Sequence, residues 1–195
     1  MPQYHADLKT WIAPLAEKEL TLKEAYDSLT KIGNHSFEVP LLIQLVENPK
    51  FHFKGLGWFK GRVTLEVHDY IHIALGRGLM PNDEAFVIGF TMGSTNRVST
   101  HEKALFSFIA GKIYPGPYKF TKIGAQIFKD AVHLGYVSDC QPLDKVDWDP
   151  LISLPLKEVR REIGLECDLL QAYYDIAAKR YPKCSVCQRI ASSSS

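Results

Sequence analysis

What this sequence lacks bounds it first. No apolar run approaches the roughly 18 to 20 residues that cross a bilayer as a helix, so none of it reads as a membrane span. Charge of one sign is missing too: 23 Lys and Arg against 22 Asp and Glu leave a formal net charge of +1. Such a balance makes no global field for nucleic acid, and none is expected as a partner. Cysteine is scarce, with four in 195 residues, which excludes a disulfide framework for a chain of this size. The opening residues, MPQYHADLKTWIAPLAEKEL, lack the basic-then-apolar order of a secretion signal and carry acids that a transit peptide avoids. The expectation is a cytoplasmic protein, with peripheral contact at an inner-membrane surface left open.

What is present suits one folded domain. At 22.0 kDa, with 46% hydrophobic and 23% charged residues, the chain can bury an ordinary core. The apolar spacing is mostly helical. Leu8, Trp11, Ile12 and Leu15 recur at three and four residues and predict a first helix. Thr21 and Glu24 have capping-box spacing and predict the start of a second. PLLIQLVENP (40–49) reads as a short buried helix, KFHFKGLGWF (50–59) as a loop, and HEKALFSFIAGKIY (101–114) as a further helix. RVTLEV alternates like a strand, yet no turn separates it from HDYIHIAL. Asn82 predicts an N-cap for DEAFVIGFTMG, and Phe120 through Val132, PLKEVRREIGLE and LLQAYYDIAAKRY predict later helices. The fold class is all-α: one domain over 1–180, a bundle of about seven to nine helices with a metal site between two adjacent ones. Residues 181–195 are expected to be a frayed tail. Within them KCSVC has CxxC spacing, but no second CxxC or CxxH follows to complete a zinc site.

The chemistry concentrates in VHDYIHIALGRGLMPNDEAF (67–86). In a strand, His68 and His72 would lie about 13 Å apart, too far to share an ion. On a helix their Cβ atoms come within roughly 5 to 6 Å, and Asp69 lies on the same narrow arc. Gly76, Gly78 and Pro81 break that helix, so Glu84 can return from the first turn of the next. Two imidazoles with one or two carboxylates suit a divalent ion: zinc foremost, with cobalt, manganese or iron as alternatives. A solvated helix face explains HDxxH as well, and acids in a first turn also complement the helix dipole. Spacing leaves both readings open. Beside Glu84, Ala85, Gly89 and Gly93 form a small-residue stripe. It serves either close helix packing or a groove for a long apolar ligand walled by Phe86, Val87, Phe90 and Met92.

His68-Asp69-x-x-His72, eleven residues and then Glu84 resembles the HDxxH-x11-E motif of the coenzyme Q (ubiquinone) biosynthesis protein four family. IALGRGLMPNDEAF and PLISLPLKEVRREIGL (150–165) are similar to two further segments of that family. The similarity spans about residues 10 to 165, strongest over 63–93 and 150–165. It implies a helical fold, with His68, Asp69, His72 and Glu84 as ligands of a divalent metal. It also implies a channel for a polyprenyl tail along Ala85, Phe86, Gly89, Phe90 and Gly93. The activity implied is oxidative decarboxylation of a polyprenylated ring precursor, in the company of other biosynthetic enzymes at a membrane surface. A homodimer is compatible with this. The sequence departs from the family at Asp83, where glycine is common, and from about Tyr181 onward. Two rival readings remain. One is a non-catalytic prenyl-lipid-binding scaffold; the other is an HD-type phosphohydrolase that would add His35 or His52 and Asp130.

Overall fold

The computed structural model describes residues 10–33, 65–95 and 121–193. The readings placed on 40–49, 50–59 and 101–114 lie outside them. Among the described residues there are seven α-helices and no strand.

Helix α1 (Leu22–Gly33) starts as its capping box requires. The Thr21 N–H donates to Glu24 Oε2 at 2.9 Å, and the Glu24 N–H returns to Thr21 Oγ1 at 3.2 Å. Leu22, Ala25 and Leu29 then turn inward. Helix α2 (Leu65–Ala74) begins inside the alternating RVTLEV stretch, so Leu65, Glu66 and Val67 are helical. Propensity favoured a strand there, and the continuous helical run of HDYIHIA overrides it. Gly76, at φ +67°, ends α2 in the left-handed region that favours glycine.

Helix α3 (Pro81–Ser94) is buried almost all the way round, from Asp83 through Phe90 and again at Gly93 and Ser94. It is the central helix of the bundle. Its N-cap is Met80, with Pro81 in the first turn, rather than the expected Asn82. Pro81 needs no N–H partner, and Asp83 caps from inside by accepting the Met80 N–H at 3.1 Å. Helix α4 (Lys122–Val137) is capped by Thr121, whose Oγ1 accepts the Gly124 N–H at 3.0 Å. It runs alongside α3 in the same direction, with Gly89 against Phe128 and Gly93 against Val132.

Helices α5 (Leu156–Glu162), α6 (Cys167–Arg180) and α7 (Ser185–Ser192) close the described structure. Two differences from the sequence reading stand out. The expected first helix is absent: residues 10–19 hold no helix, although Trp11, Ile12 and Leu15 are buried as its apolar face would be. The carbonyls of Pro14, Leu15 and Glu17, which a helix would pair within itself, accept from Arg160 instead. The described part of the expected tail, to residue 193, holds a helix. Helix α7 buries Val186, Cys187 and Ile190, and Arg189 joins it to α3 through Asp83 at 2.6 Å. Asp83 and this last helix are thus each other's partners.

Candidate metal centre

The end of α2 has to be held rigidly if its histidines are to share anything, and its last carbonyls are all satisfied. The Arg77 N–H donates to His72 O at 2.9 Å and the Gly76 N–H to Ile73 O at 3.1 Å. Arg160 Nε donates to Ala74 O at 3.0 Å, and the Tyr174 hydroxyl to Leu75 O at 2.7 Å. The buried Arg160 guanidinium also sits where the negative end of the α2 dipole favours a cation. None of these partners was identified from sequence. Arg160 carried a signal: it occupies an apolar position in the run Leu156, Val159, Arg160, Ile163, where a charge demands partners.

On the helix so held, His68 and His72 face one another, and Glu84 enters from the first turn of α3. His72 Nε2 lies 3.3 Å from His68 Nε2 and 3.2 Å from Glu84 Oε1. His68 Nε2 lies 3.4 Å from Glu84 Oε2. Ligand atoms held about 2.0 to 2.1 Å from one ion at tetrahedral angles are separated by about 3.3 Å; the nitrogen–nitrogen distance matches this, and each histidine nitrogen lies near it from a different oxygen of the Glu84 carboxylate. Among the described residues, these three are the group that could hold a metal ion.

Their protonation fits the same use. His72 Nδ1 lies 2.7 Å from the Gly78 carbonyl oxygen and can only donate to it, so the neutral ring keeps its lone pair on Nε2. Two Nε2 lone pairs at 3.3 Å repel, so a proton on His68 or a cation must lie between them. Burial would depress the His68 pKa, but the Glu84 carboxylate, aided by Asp69, outweighs it and raises the value to about 9. Glu84 is held well below the ordinary carboxylate range: burial opposes this, and the adjoining His72 and His68 prevail. Glu84 Oε2 is buried without a hydrogen-bond partner, as an atom reserved for an ion would be. What exposure the group has lies on His68 and Glu84, while His72 has none.

Asp69 stands apart from this convergence. Its Oδ1 is 3.9 Å from His68 Nδ1, beyond hydrogen-bond range, on the side of the ring away from Glu84. Of the four residues expected as ligands, the structure brings three together and leaves the fourth beside one of them. The small-residue stripe serves helix packing rather than a groove. A Cβ on Gly89 would lie 2.6 Å from the Phe128 carbonyl oxygen, and one on Gly93 would fall on that of Val132. Ala85, Phe86 and Phe90 are fully buried in the core. Phe86 instead packs under Arg77, whose guanidinium lies 3.8 Å from its ring centre and 4.2 Å from that of Tyr174. Asp130, the downstream acid of the phosphohydrolase reading, bonds Gln126 at 2.8 Å and pairs with Arg180, and is not in the histidine group. His35 and His52 lie outside the described residues. No helix among the described residues is long and apolar enough to cross a membrane.

Comparison with known proteins finds no match: no family model, no curated protein and no solved structure is similar to this chain.

Proposed function

We propose that this is a metal-dependent protein of ubiquinone or related prenylquinone biosynthesis, binding a polyprenylated ring precursor and acting on its carboxylate. The observation that carries the metal part is the convergence of His68 Nε2, His72 Nε2 and Glu84 at 3.2 to 3.4 Å. The quinone part rests on the HDxxH-x11-E motif and the PLKEVRREIGL segment, which resemble those of that family. The donor set of two nitrogens and one carboxylate favours zinc and admits cobalt, manganese or iron.

A divalent ion bound there supplies a Lewis acid toward a phenolate or carboxylate oxygen. The protein's own part is orientation and exclusion of water. Gly78 holds the His72 tautomer, Arg160 and Tyr174 hold the end of α2, and Glu84 contributes the charge that draws a cation into a buried site. Because α4 fills the Gly89–Gly93 stripe, a prenyl tail would lie elsewhere than along it.

Metal analysis of the purified protein and of His72→Ala, with mass spectrometry of its organic extract, tests the reading. Metal in the wild type alone and a prenylated aromatic acid in the extract are expected. Equal metal in both proteins removes the metal site. Metal without any prenyl lipid leaves the site standing and removes the quinone assignment.

A further inference from the structure

Helix α7 begins on a pair of thiols that the metal centre does not use. Cys184 is its N-cap, and Cys184 Sγ accepts the Cys187 N–H at 3.4 Å. The Cys187 thiol donates to the same sulfur at 2.7 Å, and Asn82 Nδ2 adds a third donor at 3.5 Å. Three donors therefore converge on one sulfur at a helix start, the setting that makes the first cysteine of a CxxC pair the attacking atom. Both cysteines are free thiols.

We propose that Cys184 and Cys187 form a redox-active dithiol that closes to an intramolecular disulfide by exchange with a small disulfide. Cys184 gives up its proton, and its sulfur attacks one sulfur of the small disulfide. A mixed disulfide forms, and the departing thiolate takes up the proton. The Cys187 sulfur then attacks Cys184 Sγ, breaks the mixed bond and expels the second small thiol, which receives the Cys187 proton. The pair loses two electrons and two protons, and the small disulfide gains both.

The surroundings set this order. Both cysteines are buried, with Cys184 at 6% exposure and Cys187 at 3%; Cys184 is flanked by the exposed Lys183 and Ser185, and Cys187 lies between the buried Val186 and the exposed Gln188. Burial pushes the Cys187 thiol up to about 12, so it keeps its proton at neutral pH and acts second. The pair also sits where α7 docks on α3, through Asn82 to Cys184 and Asp83 to Arg189. Cys140 and Cys167 are free thiols elsewhere in the fold and serve as internal controls.

The test equilibrates the full chain against a series of reduced and oxidised dithiothreitol mixtures without oxygen. Acid quenching, alkylation with N-ethylmaleimide and trypsin digestion follow. Lys183 and Arg189 bracket a peptide that holds both cysteines. It should pass reversibly from doubly alkylated to unalkylated and two hydrogens lighter, in one two-electron transition, while Cys140 and Cys167 stay alkylated. Double alkylation across the whole series, or cross-links between chains in its place, overturns the proposal. With Cys187→Ser, glutathione disulfide should leave glutathione on Cys184. Glutathione on Cys140 or Cys167 instead overturns the assignment of the attacking sulfur.

Discussion

His72 donates from Nδ1 to the Gly78 carbonyl oxygen at 2.7 Å, and this one bond decides which of its nitrogens faces an ion. The loop that supplies Gly78 is packed closely enough that a Cβ there would meet the Trp11 carbonyl oxygen at 2.5 Å. His72 is thus oriented by backbone rather than by another side chain. His72→Ala and Glu84→Gln should each lower affinity for zinc by more than about 100-fold, since the first removes a ligand nitrogen and the second removes the carboxylate charge and one of its two oxygens. Asp69→Asn should cost about 10-fold or less, because Asp69 lies beside His68 and outside the convergence. Competition with a chromogenic chelator measures all three, and a loss at Asp69 equal to that at Glu84 would return it to the ligand set.

The proton on His68 should make the site sensitive to pH. Its pKa in the folded protein, about 9, lies above the ordinary value of 6.5. The stability this group contributes is therefore whole below about pH 6.5 and is lost as pH rises through about 9; it amounts to at most about 3 kcal/mol. A bound ion has to displace that proton. At pH 7, metal uptake should release about one proton per ion, and apparent affinity should climb with pH until near 9. Calorimetric titration in buffers of different ionisation enthalpy reads the proton, and metal-loaded protein should lose the stability trend.

Arg160→Met should destabilise the protein by about 3 to 5 kcal/mol in urea unfolding, although it removes no apolar packing of comparable size. The cost comes from the carbonyls of Ala74, Leu15 and Glu17 left without their donor, while those of Ile73 and Pro14 keep the Gly76 and Glu17 N–H groups. The same variant should bind zinc more weakly, because the end of α2 that carries His72 is no longer held.

Gly93→Ala should cost about 1 to 3 kcal/mol in thermal unfolding, since the new methyl falls on the Val132 carbonyl and the helices must move apart. At an unconstrained helical position the same change stabilises by about 0.5 to 1 kcal/mol. A stabilised Gly93→Ala protein would mean that the stripe is open after all, and would restore the groove for an apolar chain.

Much of the site was legible in the sequence because it depends on local geometry. A four-residue spacing brings His68 and His72 together only on a helix, and the glycines and proline after it return Glu84 to them. The reciprocal bonds of Thr21 and Glu24 were readable for the same reason: every atom involved lies within one turn. The all-α class followed from periodicity along single elements.

What periodicity could not supply was the identity of partners far away in the chain. Trp11, Ile12 and Leu15 have helical spacing and are buried, yet their segment is not helical. Arg160, well over a hundred residues later, supplies donors to its carbonyls. The small-residue stripe fitted a groove or a neighbouring helix equally well until α4 was seen to fill it. Asp69 and Glu84 are both carboxylates near the histidine arc, and only the packing of α3 against α2 put one among the ring nitrogens and left the other outside. The final helix is not legible in the sequence because its anchor, Asp83, lies 106 residues before Arg189. Sequence by itself determined which residues could share a helical face; tertiary structure decided which of them meet, because a hydrogen bond or a shared ion needs a few ångströms and takes no account of distance along the chain.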